Sequence, residues 1–168
     1  IGASKIQSVV HHVLPLALPA AGQQGVSIQI LNIGQQTAEV RVLDLVCNQE
    51  LFAGAILDAL PKKEWSPETT EKREGFVHPV AVNGIAEKAT IQFIVRDFTV
   101  AGLQQHHQRL KKIAEDTVAK FPGATMEYTS QEQYRNMKEV LDKYPQVVAY
   151  AEEAIQRAGL TVRKESIR

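Results

Sequence analysis

The stretch from Phe76 to Phe121 constrains this chain most. Phe76 to Val82 and Ile85 to Arg96 are β-like runs flanking Asn83-Gly84, a pair that tolerates positive φ at both residues. That combination predicts an antiparallel hairpin turning at Asn83-Gly84. Within the second run Ile91, Phe93 and Val95 alternate with Gln92 and Arg96, so one face is apolar and the other polar. Leu103, Leu110, Ile113, Ala114 and Phe121 then recur at helical spacing, predicting a helix from about Thr99 to Phe121 that ends at Pro122-Gly123. A hairpin with one apolar face and a helix with one apolar stripe bury both by packing helix on sheet. The expected core is Phe76, Ile91, Phe93, Val95, Leu103, Leu110 and Ile113.

The rest of the chain extends this pattern. Ile6, Val9, Val10 and Val13 follow Ser4 at helical spacing, and Pro15 ends that helix. Val26, Ile28 and Ile30 alternate as a strand, as do Ala38, Val40 and Val42, and Gly34-Gln35-Gln36 between them predicts a second hairpin. Leu51 to Leu60 is helical up to Pro61, and Glu64 to Gly75 is a polar surface loop. Thr125 to Thr129 reads as a short strand. Ser130 and Gln133 have capping-box spacing for a helix start. Pro145 and Gly159 suit the first helical and C′ positions of a last helix, and Leu160 to Ile167 a final strand. The class is α+β, with a mostly antiparallel sheet covered by helices on one face.

Composition excludes several functions. Of 168 residues 44% are hydrophobic, enough for one buried domain or two small ones. Lys plus Arg and Asp plus Glu each number 19, so no net charge draws the chain to nucleic acid or to a membrane surface. The lone Cys47 makes no internal disulfide, which fits a reducing, cytoplasmic compartment. The apolar stretch Val13 to Ala21 is broken by Pro15 and Pro19 and preceded only by Lys5, a poor signal peptide. The chain opens at Ile1 rather than Met, as expected of a piece of something longer. His11-His12 and His106-His107 are adjacent pairs whose rings diverge on a helix, and they read as solvated. Cys47 reads as a buried inert thiol, and Glu152-Glu153 as a solvated helix face. No nucleophile elbow or glycine-rich phosphate loop occurs. Residue chemistry alone assembles no catalytic site.

A resemblance adds more. Pro61 to Pro79 reads PKKEWSPETTEKREGFVHP, and Ser66 to His78 fits a Ser-Pro-Glu-x-Thr-Glu-x-x-Glu-Gly-Phe-x-His pattern. Gly84-x-x-Glu87-Lys88-Ala89, the strand ending Ile94-Val95-Arg96-Asp97-Phe98, Tyr134-x-Asn136-Met137 and the closing Ile167-Arg168 follow in order. Together they resemble the peptidase T family, tripeptide aminopeptidases among the dinuclear-zinc exopeptidases, over about residues 52–168. The resemblance implies a catalytic domain with two zinc ions and a general-base Glu. It also implies a smaller lid domain, a four-stranded antiparallel sheet with two helices on one face, which serves in many members as the dimerisation surface. On that basis residues 51–143 are expected to be the lid, 144–168 the first returning helix and strand of the catalytic domain, and 1–50 an unassigned segment with a helix and a β-hairpin. The zinc ligands and the general base are not in the chain, and neither are the family's His-Pro-Gly and Asn-Ala.

Three residues carry over as substrate-binding candidates. Arg96, at the end of a lid strand, has a guanidinium fork suited to a substrate carboxylate. Asn136 has an amide suited to the substrate backbone. Arg168 precedes the family's glycine-rich turn. His78 belongs to the signature as a structural residue. The expected function is the lid of a zinc-dependent tripeptide aminopeptidase, with tripeptides as substrates and a possible homodimer. The alternative is a non-catalytic, self-associating interaction module derived from that lid. This chain by itself is expected to bind no zinc tightly. Metal analysis after dialysis checks this, and stoichiometric zinc lost on changing His78 or the His106-His107 pair is the contrary result.

Overall fold

A computed structural model describes residues 26–31, 33–43, 49–85 and 88–167. The helix expected near residues 6–13 and Cys47 lie outside them. The described chain holds six strands and four helices. The strands are β1 (Val26–Leu31), β2 (Gly34–Leu43), β3 (Phe76–Ile85), β4 (Lys88–Asp97), β5 (Thr125–Tyr134) and β6 (Val162–Ile167). The helices are α1 (Gln49–Ala59), α2 (Val100–Val118), α3 (Lys138–Leu141) and α4 (Pro145–Arg157). Contacts divide the chain into two compact units, Ile33–Arg135 on the one hand and Ile1–Asn32 with Asn136–Arg168 on the other.

The unit Ile33–Arg135 is a four-stranded antiparallel sheet in the order β3-β4-β2-β5. Its apolar face is built by alternation. Ala89, Ile91, Phe93 and Val95 of β4 and Ala38, Val40 and Val42 of β2 all point one way and are buried. Phe52, Ala53 and Ile56 of α1 and Leu103, Leu110, Ala114 and Val118 of α2 close over them in one core. Helix α2 begins at Thr99, whose extended backbone and hydroxyl, accepting from the Gly102 amide, form an N-cap. Both helices therefore lie on one face, and the other face carries the outward residues of each strand. Of the expected core, six residues are buried and Ile113 is half-buried against the same cluster. Phe76 is buried, yet it falls outside that cluster because it points to the face opposite Val77.

Three local expectations are corrected. The β3–β4 hairpin does not turn at Asn83-Gly84: Asn83 pairs with Thr90, Gly84 with Ala89 and Ile85 with Lys88, so the dipeptide lies within the paired strands. A bulge between Pro79 and Ala81 lets β3 absorb one extra residue while Val77 stays opposite Val95. β1 and β2 form no hairpin. β2 lies between β4 and β5, and β1 pairs in parallel with β6. No helix starts at Ser130, because β5 stays paired with β2 from Thr125 to Tyr134. The loop between α1 and β3 is mostly exposed as expected, although Trp65 and Thr70 within it are buried.

The second unit pairs β1 with β6 and packs α4 beside both. Pro145 opens α4, and Gly159 just beyond it adopts φ +72°, a conformation that favours glycine. No described helix is long and apolar enough to cross a membrane.

Phe93 is fully buried at the centre of the sheet's apolar face. Phe93→Ala is expected to cost about 3–5 kcal/mol of stability, read by urea unfolding. A loss below about 1 kcal/mol would mean that the ring is not packed between sheet and helices.

Candidate functional site

The face of the sheet opposite the two helices bears a row of four side chains at one end. Phe76 pairs with Arg96, Arg96 with Gln35, and Gln35 with Tyr134, one residue from each strand in the order of the sheet. Arg96 lies next to Val95, whose side chain is in the core, so strand alternation sends Arg96 to the face opposite the helices. Arg96 Nε donates to Gln35 Oε1 at 2.7 Å, and the Tyr134 hydroxyl donates to the same oxygen at 3.0 Å. The guanidinium carbon lies 5.8 Å from the centre of the Phe76 ring, within cation–π range. The strand-end arginine is thus held by neutral partners rather than by Asp97.

Asp97 is committed to the covered side. Its Oδ1 accepts from the Thr99 amide at 2.7 Å and the Thr99 hydroxyl at 2.9 Å. Its Oδ2 meets His106 Nε2 at 3.1 Å, and Trp65 Nε1 donates to His106 Nδ1 at 2.6 Å. Indole N–H only donates, so Nδ1 accepts and Nε2 carries the proton toward Asp97. Burial pushes the Asp97 carboxyl up, but the hydrogen bonds from His106 and Thr99 outweigh it and hold it below its ordinary value. The cradle is close. A Cβ on Gly75 would meet Asp97 Oδ2 at 2.2 Å, and one on Gly102 would meet Asp97 Cγ at 2.2 Å. This network fastens the Ser66–His78 signature segment, through Trp65 and Gly75, to the end of β4 and the start of α2.

The second histidine of the pair is also inside. His107 Nδ1 lies 2.6 Å from the Tyr128 hydroxyl, and its Nε2 is buried with no hydrogen-bond partner among the described residues. The expectation of solvated histidines at 106 and 107 is therefore corrected. Both are half-buried because this part of α2 faces β5 and the loop. Burial, with a smaller contribution from His106, pushes His107 below the ordinary 6.5 and keeps it neutral. Burial raises the Tyr128 hydroxyl as well.

The other candidates are placed separately. His78 sits on β3 beside a shallow concavity of about 380 Å³ that it shares with Leu57, Leu60 and Trp65. Asn136 is buried, and its Oδ1 accepts from the Lys138 amide at 2.9 Å, an Asx turn leading into α3. It belongs to the second unit, whereas Arg96 belongs to the first. Arg168 lies outside the described residues. Among the described residues no three His, Cys, Asp or Glu side chains converge as a metal centre. Both ring nitrogens of His106 are already engaged, as is Nδ1 of His107. These residues do not fit a dinuclear metal site.

Comparison with known proteins gives this geometry a family. Peptidase T of Clostridium perfringens is 35% identical over 121 residues, 72% of this chain and 30% of its own length. Peptidase T of Latilactobacillus sakei is 32% identical over 148 residues, 88% of this chain. The chain belongs to the peptidase T family. It spans about a third of the length of the curated relatives it matches, 30% of one and 35% of another. The 148-residue match must include residues 22 to 50, so the relationship reaches further toward the N-terminus than the motifs do. No family model matches. Among solved structures, aminopeptidase PepT from Bacillus cereus superposes with a TM-score of 0.63 at 12% identity, covering 89% of this chain and 42% of that one. A dinuclear metal-binding peptidase of the M20 family from Bacillus subtilis superposes with a TM-score of 0.56 at 17% identity, covering 87% of this chain and 36% of that one. These likenesses show a shared fold.

Gln35 and Tyr134, Trp65 and His106 were not candidates from sequence. Their partners lie 41 to 99 residues away along the chain, and no local pattern signals such pairs.

The His107 environment makes a pH prediction. A histidine whose folded pKa is depressed contributes stability that is present above its unfolded value and is lost as pH falls toward the folded one. The urea midpoint is expected to fall as pH drops below about 6.5, the unfolded value of histidine, and to fall less in His107→Leu. Equal pH dependence in the two proteins would contradict the buried neutral imidazole.

Proposed function

We propose that the unit Ile33–Arg135 is the lid of a zinc-dependent tripeptide aminopeptidase, and that residues 144–168 begin the return into its catalytic domain. The observation that carries this reading is the one-sided sheet. Helices cover one face, and the other presents Arg96 at its end, where a lid closing over a cleft would bring it to substrate. A free tripeptide carries a C-terminal carboxylate, and a tripeptidase must measure how far that carboxylate lies from the amine end. A guanidinium on the lid serves as that ruler. Asn136 and Arg168 are further substrate contacts in this proposal, and His78 holds the signature segment. The two zinc ions and the general base belong to the part of the enzyme outside this chain. The lid is also the proposed homodimer contact, supported by the exposed Val80, Val82 and Ile85 along edge strand β3. The compartment in this reading is the cytoplasm.

In a complete enzyme carrying this segment, Arg96→Ala is expected to lower kcat/KM for free tripeptides roughly 10- to 150-fold, the equivalent of one charge-assisted hydrogen-bonded pair. A C-terminally amidated tripeptide lacks that pair and is expected to change little. Equal slowing of both substrates would remove Arg96 from carboxylate recognition.

A further inference from the structure

We propose that Gln35 and Tyr134 are positioning residues that hold the Arg96 guanidinium end-on, so that its Nη1/Nη2 edge is the face a carboxylate meets. This rests on the reading of Arg96 as the carboxylate ruler and adds how that ruler is set. An arginine offers a carboxylate two bidentate edges, one through Nε with one Nη and one through both Nη atoms. Here Nε is already used, donating to Gln35 Oε1 at 2.7 Å. A ligand approaching by the Nε edge would have to displace Gln35. Gln35 is itself held, because the Tyr134 hydroxyl donates to the same oxygen at 3.0 Å. The Phe76 ring, 5.8 Å from Arg96 Cζ, lies against the guanidinium from the other neighbouring strand. Strand pairing fixes all four backbones in one row, so the chain of contacts runs β5 to β2 to β4 to β3.

The chemistry of the partners explains why this arrangement suits an anion site. Among the described residues Arg96 forms no ion pair, and the groups that orient it are an amide oxygen and an aromatic ring. A carboxylate in place of Gln35 would orient the guanidinium equally well but would neutralise it and compete with the ligand. A neutral acceptor orients and leaves the positive charge for the incoming anion. A bulge in β5 between the residues facing Gln35 and Gln36 brings Tyr134 into the row, since β5 has one extra residue there. Without it, the residue opposite Gln35 would be Gln133.

The test uses the 168-residue chain, labelled so that the Arg96 Nε–Hε resonance is resolved by NMR, with trialanine and trialanine amide as probes. The wild-type chain is expected to show an Nε proton protected from water exchange, and Nη shifts on adding trialanine but not the amide. Gln35→Leu is expected to lose the Nε protection and to weaken trialanine binding roughly 2- to 12-fold, the range for one hydrogen bond. Tyr134→Phe, at an edge strand, is expected to change both in the same direction and less. Gln35→Glu is expected to keep Nε protected while weakening trialanine, which separates orientation from charge. If Arg96→Ala weakens trialanine binding but Gln35→Leu and Tyr134→Phe leave it and the Nε exchange unchanged, the positioning role is overturned and the ruler stands. If Arg96→Ala leaves trialanine binding unchanged, or the wild-type chain shows no trialanine-dependent shift at Arg96, the ruler fails and the positioning role with it. Should Gln35→Leu not fold, Tyr134→Phe and Gln35→Glu give the same decision.

Discussion

Every second side chain of β4 is fully buried, from Ala89 through Ile91 and Phe93 to Val95. The residues between them face the other way. This alternation is the constraint from which the rest of the unit follows. An apolar strip that long must be covered, and α1 and α2 supply the cover from one side only. The same period of two that drives Val95 into the core turns Arg96 out of it. The core and the candidate site are therefore two consequences of one strand. A one-residue slip would exchange them, placing a guanidinium under the helices and a valine on the opposite face.

The end of β4 is where this arrangement is fixed most tightly. Arg96 and Asp97 are neighbours of opposite charge that do not serve each other. Asp97 takes the Thr99 cap and His106, and through His106 it holds Trp65 and the signature segment. Arg96 takes Gln35 and the Phe76 ring. Separation of the two charges matters chemically. A guanidinium paired with its own neighbour would meet an incoming carboxylate already neutralised. Gly75 and Gly102 make the separation possible, because any side chain on either would collide with the Asp97 carboxylate.

The parts of this fold that were legible in sequence are those with a strong local period. The strip on β4, the Thr99-capped helix and the Pro145–Gly159 helix all announce themselves within a few residues of their own chain. What sequence misplaced depends on partners far away. Val26–Leu31 and Gly34–Leu43 look like two arms of one hairpin, yet β1 pairs with β6, 136 residues later at Val26 and Val162, and the two strands belong to different sheets. Asn83-Gly84 is a good turn sequence, yet the strands stay paired through it, with Asn83 opposite Thr90 and Gly84 opposite Ala89, because the register that sets Val77 opposite Val95 carries the pairing past that dipeptide. Adjacent histidines suggested a solvated surface. The indole of Trp65, 41 residues upstream, and the hydroxyl of Tyr128 draw both inside. For the candidate site, the resemblance picked out Arg96, but only the cross-strand register identified what holds it.

A crystal structure of a complete peptidase T carrying this segment, with a non-hydrolysable tripeptide analogue bound, decides whether Arg96 reads the substrate carboxylate. The expected result is that the sheet face opposite the helices lies over the cleft and that the analogue's C-terminal carboxylate is held by Nη1 and Nη2 of Arg96, with Nε still on Gln35. A carboxylate bound by other residues, with Arg96 turned to solvent or buried between subunits, would contradict it.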